Sequence, residues 1–189
     1  MTQFFDFEDG LGLVEFDFHP NGGGRVATTA KVDHSVLLSE GCSVGGFARV
    51  RGDVTITGRV RISGEKYPLD VSTLIEDRVA ITGNARIAGC VLLRDQVEIR
   101  ENVQLLGCVR AFHRAKMSGN VRLEGWVSVM DSAYLSGDLV IIGKTEQLQV
   151  RDETCLHTGV LTRANDVGMA VRRYLGRKET ARKRTAALC

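Results

Sequence analysis

Among the four histidines of this 189-residue chain, His113 has the most suggestive neighbours. Asp77, Asp95, His113 and Asp131 follow one another at intervals of eighteen residues. If that interval brings the four side chains together, three kinds of chemistry are open. His113 could act as a general base on a bound substrate. The four side chains could share a cation through their oxygens and a ring nitrogen. The plainest reading is a stacked ladder in which a cation between anions relieves like-charge repulsion. Carboxylates on both sides favour the imidazolium, and an imidazolium is not a base, so the ladder stands ahead of catalysis and no metal is assigned. The other histidines sit apart: His19 in a glycine-rich connector, His34 on the outside of an early repeat, and His157 beyond the repeats.

What must position these residues is a repeat of six. Val26, Val32, Leu38, Val44, Val50, Ile56 and Ile62 recur at every sixth place. After one extra residue the series resumes at Leu69 and runs from Ile75 by sixes to Ile141, apolar throughout. A smaller apolar residue stands two places before most of these, and glycine commonly two places after, as at 46, 52, 58, 64, 83, 89, 107, 119, 125, 137 and 143. Alternate residues of a strand face one side, so each hexad places two side chains in a common interior. Glycine then turns the chain at positive φ. A period of six does not match the 3.6 of a helix. Columns eighteen apart share a character, which predicts coils of three sides and eighteen residues. The fold expected is an all-β, single-stranded, three-sided β-helix of six to seven coils, with a short C-terminal helix.

Other columns follow. Asn84, Asn102, Asn120 and Asp138 are expected to form a structural ladder joined by side-chain hydrogen bonds. Cys90 and Cys108 stack without a fixed cation to activate a thiolate. Leu92, Phe112 and Met130 lie outward near the Asp/His corner, and Ala88, Leu106 and Ile142 form another outward column. Leu92, Leu106, Phe112, Met130 and Ile142 are therefore interface candidates, for a homo-oligomer (trimer or dimer), a protein partner, or the bed of a capping helix. The arginines 86, 94, 100, 110, 114 and 122 give the outer surface a basic tone, offset by Glu98, Glu101 and Glu124.

The chain divides into an aromatic and acidic cap with its connector (1–25), the repeats (26–143), and a cap helix with a basic tail (144–189). Five of the seven phenylalanines fall in the first eighteen residues among five acids and no Lys or Arg, which predicts a short hairpin or strand pair that caps the first coil or pairs with a partner, not a secretory leader. His19-Pro20-Asn21-Gly22-Gly23-Gly24 reads as a tight connector, since no Lys-Ser/Thr follows to make a phosphate loop. At residues 64–68 the register breaks by one residue and Tyr67 takes a small inward place, too short a bulge for an active-site arm. From about 164 the spacing of Val167, Ala170, Val171, Tyr174 and Leu175 predicts a helix over the last coil. The basic tail is short and lacks interleaved aromatics beyond Tyr174, so nucleic acid is not the expected partner. No apolar run reaches a membrane span. Five cysteines without a CxxC, and a net charge of +2, fit a reducing cytoplasm and name no partner.

The connector His19–Gly24, followed by units such as Gly83-Asn84-Ala85-Arg86-Ile87 and Gly119-Asn120-Val121-Arg122-Leu123, resembles the YdcK-type bacterial β-solenoid proteins over residues 19–143. These are similar in fold to hexapeptide-repeat acyltransferases. The resemblance implies a left-handed coil and a route to acyl-CoA chemistry, with acetyl-CoA or another acyl-CoA as cofactor and His113 as base near a trimer interface. Right-handed solenoids such as the bactofilin filament proteins remain an alternative. The function expected first is a non-catalytic scaffold or protein-binding module without cofactor. An acyl-CoA-dependent acyltransferase comes second and a filament-forming solenoid third.

Overall fold

The computed structural model describes residues 3–64 and 73–162. Over that range the chain is all β and winds into a β-solenoid of three faces. Take one coil. Arg86–Gly89 lies on the first face, Leu92–Leu93 on the second and Glu98–Arg100 on the third. Each strand pairs in parallel with its counterpart one coil on: Ile87 with Leu105, Leu93 with Ala111, Ile99 with Met117. The third face forms a separate seven-stranded sheet, so seven coils are stacked. At the ~4.8 Å spacing of adjacent strands they span roughly 34 Å. The first two faces belong to one sheet, because Arg122–Val129 and Leu139–Val150 run through the corner between them and serve both.

The hexads explain the interior. Ile56, Ile81, Ile99, Met117 and Leu135 stack inside the third face and none is more than 1% exposed. Ile62, Ile87, Leu105, Leu123 and Ile141 stack inside the first, none more than 2% exposed. Fully burying a side chain of this size stabilises by about 1.5–3 kcal/mol, and a single column repeats that gain coil after coil.

Two register changes depart from the expected pattern. Ile75 pairs with Val50, 25 residues back, so the corner after Gly64 carries seven residues beyond the eighteen-residue coil, not one. Leu69 and Tyr67 lie outside the described residues. Thr73 takes a fully buried place as the chain re-enters, its hydroxyl within reach of the carbonyls of Ser63 (3.0 Å) and Gly89 (2.8 Å). The second change follows Gly143. Val150 pairs with Val129, 21 residues back, so three extra residues carry the chain past Gln147. Leu148, Val150, Leu156 and Leu161 are then buried inside a further coil. The coils therefore run on to Leu161 beyond the boundary expected at 143. The helix expected from 164 and the basic tail lie outside the described residues.

The aromatic start forms the expected hairpin. Gln3–Asp6 pairs antiparallel with Leu13–Phe18, which pairs antiparallel with Arg25–Ala27 of the first coil. Phe7, Phe16 and Ala27 make a small second core outside the solenoid. Gly45 admits it: a Cβ there would meet Phe7 at 2.6 Å. The connector closes the third face, with the Gly24 N–H donating to the Leu38 carbonyl and the Leu38 N–H to that of Asn21. His19 is buried, and its ring nitrogens lie 3.2 Å from the Asn21 carbonyl oxygen and 3.1 Å from that of Asp33. A histidine thus fastens the connector to the second corner.

Gly22 has φ +111°, and a Cβ there would lie 2.5 Å from the Leu38 carbonyl oxygen; Gly12 has φ +72° in open space. Gly12→Ala should cost only the left-handed backbone term, ~1–2 kcal/mol. Gly22→Ala should cost clearly more, read as a larger drop in thermal midpoint. Equal losses would mean that the connector does not lie this close to Leu38.

Candidate functional site

The corner between the second and third faces gathers the predicted column. Gly52, Asp77, Asp95, His113, Asp131 and Asp152 all have positive φ there, between 60° and 69° for the five that are not glycine. A glycine-like turn is being made by residues with short polar side chains, the types that tolerate this region best. The carboxylates show why. The Asp95 N–H donates to Asp77 Oδ2 (3.2 Å), the His113 N–H to Asp95 Oδ2 (2.9 Å), and the Asp152 N–H to Asp131 Oδ2 (3.2 Å). Each aspartate accepts the backbone N–H of the corner one coil on, which an aligned glycine could not do. His113 breaks the series: its Nδ1 lies 3.0 Å from Asp131 Oδ1. Asp152 is a member that the sequence pattern did not reveal, because the three inserted residues move it from an interval of eighteen to one of 21.

As a catalytic centre the corner offers little enclosure. The His113 side chain is 60% exposed and that of Asp131 45%. A shallow depression of about 570 Å³ runs along the same ridge, lined by Asp53, Asp77, Arg78, Arg94, Asp95 and Gln96, one coil short of His113. Among the described residues no three His, Cys, Asp or Glu side chains are placed to hold a metal ion.

The Asn column occupies the corner between the third and first faces, exposed along its length. Its far rung is a side-chain bond, Asn120 Nδ2 donating to Asp138 Oδ1 at 2.9 Å. The apolar candidates do not form one stripe. Leu92 lies in one outward column of the second face and Phe112 and Met130 in the next. Leu106 and Ile142 share a column of the first face with Glu124 between them. All five are half-buried. Between those faces stands Trp126, 62% exposed and not anticipated.

The third face carries a polar surface that was also missed. Arg100, Ser118, Ser136 and His157 stack in one column, beside Glu98, Lys116, Tyr134 and Cys155 in the next. Tyr134 and Ser118 share a hydroxyl hydrogen bond of 3.0 Å, and Ser136 Oγ lies 2.6 Å from His157 Nδ1. Glu98 pairs with Lys116 at 3.1 Å and with Arg100. The hydrogen bond from Lys116 holds its carboxyl below the usual range, against the cost of partial burial and with help from Arg100. A depression of about 310 Å³ lies beside this pair, bounded by Arg100, Lys116, Ser118 and Tyr134. His157, expected beyond the repeats, joins this column because the coils run on to Leu161.

Measured against protein-family models, curated proteins and solved structures, the chain matches none. Among the described residues no helix is long and apolar enough to cross a membrane.

Two outcomes follow. Asp95→Asn keeps both the left-handed tolerance and an acceptor oxygen and should unfold close to the parent; Asp95→Gly loses only the acceptor, and Asp95→Ala loses both. A spread of about 1–2 kcal/mol from Asn to Ala is expected in denaturant unfolding, and no spread would remove the carboxylate from the corner's stability. Because the Glu98 carboxyl is lowered on folding, its contribution is present above the unfolded carboxyl range near pH 4.3 and is lost as pH falls through its folded value. Glu98→Gln should flatten that part of the acid-stability profile; an unchanged profile would sink the assignment.

Proposed function

We propose that this protein is a non-catalytic β-solenoid module, a rigid rod that presents side-chain columns to a protein partner or to further copies of itself. One observation carries the reading: the residues best suited by type and spacing to chemistry are engaged in holding successive corners together. Asp77, Asp95 and Asp131 each direct a carboxylate oxygen to a backbone N–H one coil on. His113 is bonded to the last of them on an open ridge. A base in acyl transfer needs a substrate held within hydrogen-bond reach and shielded from water, and an exposed ridge supplies neither.

The second reading, an acyl-CoA-dependent acyltransferase of the hexapeptide-repeat type with His113 as base, rests on the resemblance to YdcK-type solenoid proteins. The His113–Asp131 contact favours it to this extent: a carboxylate on one ring nitrogen orients the imidazole and leaves the other nitrogen for a substrate. Fold likeness alone does not carry activity. The filament reading is third, since the antiparallel hairpin covers the first-face edge on which another coil would stack in parallel.

Acetyl-CoA at millimolar concentration should leave the thermal midpoint unchanged and give no turnover with amine acceptors. A rise in midpoint together with turnover that is lost in His113→Ala would replace the scaffold by the enzyme. Light scattering after size exclusion reads the assembly, and a trimer near three times 20.7 kDa would bring the half-buried apolar columns into an interface.

A further inference from the structure

At the corner where the third face begins, the residue after each left-handed turn points outward. That column reads Asp53, Arg78, Gln96, Arg114, Ser132 and Glu153. Arg78, Gln96 and Arg114 form one wall of a groove of about 470 Å³, and the next column, Ala80, Glu98 and Lys116, forms the other. The charges inside it are unequally used. Lys116 and Glu98 neutralise one another across 3.1 Å, with Arg100 on the far side of the same carboxylate. Arg78 and Arg114 have no ion pair among the described residues. Their backbone N–H groups donate to the carbonyls of Asp95 and Asp131 one coil on, which holds their Cα atoms in register. Two guanidiniums outside any ion pair therefore stand in one column, two coils apart, with a neutral amide donor between them. Asp53 and Glu153 end the column with the opposite charge, and Asp77 and Asp95 flank it on the ridge side, so the groove side between Arg78 and Arg114 is the part of the column open to an anion.

We propose that this groove binds an acidic peptide in the extended polyproline II form, with carboxylates three residues apart on the two guanidiniums. The proposal rests on the reading of the protein as a binding module and names the class of partner. Spacing decides between ligands. Two coils separate Arg78 from Arg114 by about 9.6 Å. A polyproline II segment has three residues per turn and a rise of ~3.1 Å, so residues i and i+3 share a side about 9.3 Å apart. A β-strand places its same-side residues i and i+2 at about 6.7 Å, which fits one coil or two poorly. Arginine offers each carboxylate two parallel donors, and Gln96 can donate to a backbone carbonyl between them.

The test uses the full chain and fluorescence anisotropy of labelled peptides at low salt. A peptide of four Glu-Pro-Pro repeats should bind, and one of Glu-Pro repeats with the same number of glutamates should bind at least several-fold more weakly. Arg78→Gln and Arg114→Gln should each weaken the first peptide by about tenfold, the loss of one charge-assisted contact. Arg59→Gln, which removes the same charge at a different corner, should change it less than about twofold. All three are exposed substitutions, and unchanged thermal midpoints would establish that they fold. Binding of the two peptides with equal affinity, equal losses for Arg59→Gln and Arg78→Gln, tighter binding of a twelve-residue oligothymidylate, or no binding at all would each overturn the proposal. These results leave the scaffold reading standing unless acetyl-CoA turnover is found, because that measurement does not involve the groove.

Discussion

Parallel stacking makes every residue the neighbour of its own counterpart one coil away, and this one constraint organises the molecule. A side chain in such a stack answers chiefly to its column. Inside, the column must be apolar and fill the space left by the one before it, as the isoleucines and leucines of the first and third faces do. At the corners, the backbone must enter the left-handed region at the same place in coil after coil. Outside, like charges in adjacent rungs repel and opposite charges attract. Arg51, Glu76 and Arg94 obey that rule on the second face, with Arg51 Nε 2.8 Å from Glu76 and Arg94 3.8 Å from it. Glu76 accordingly raises the already high Arg51 pKa through a hydrogen bond and its charge.

The Asp/His corner shows how residues that look catalytic can be structural. Glycine would satisfy the dihedral requirement alone, and it does so at Gly52. Aspartate satisfies it at some conformational cost and returns a hydrogen bond to the next corner. His113 keeps the dihedral but not the acceptor, and turns its ring to the Asp131 carboxylate instead. The departures from eighteen residues have the opposite effect. The insertion after Gly143 leaves the inward columns intact and alters what stands outside. Three residues added after Gly143 bring His157 over Ser136 and Asp152 over Asp131.

The N-terminal end of the first-face sheet is treated differently from its middle. At the N-terminus a hairpin, a glycine connector and a buried histidine close edges that parallel pairing would leave open. Gly45 and Gly22 are required there by close approach, since Phe7 and the Leu38 carbonyl occupy the space a Cβ would take. The same hairpin carries Phe4 and Leu13 on its outer side, 59% and 72% exposed, beside Asp6, Glu15 and Asp17.

The sequence by itself determined the solenoid, its three sides, its inward columns, the aromatic hairpin and the Asp77–Asp131 corner, because each depends on spacing within one or two coils. Strand alternation and a repeated turn are local, and their period survives in the order of residues. What it could not determine was the length of an insertion. The apolar period suggests one extra residue before Ile75 where the register shows seven, and Gln147 breaks the period where the coil in fact continues. Only pairing between coils decides which of two apolar residues faces the core, since that choice turns on the neighbour above and below. The third-face surface was decided the same way. Ser136 and His157 are 21 residues apart, and Arg78 and Arg114 border the groove with Glu98 and Lys116, through contacts that no single stretch of sequence contains.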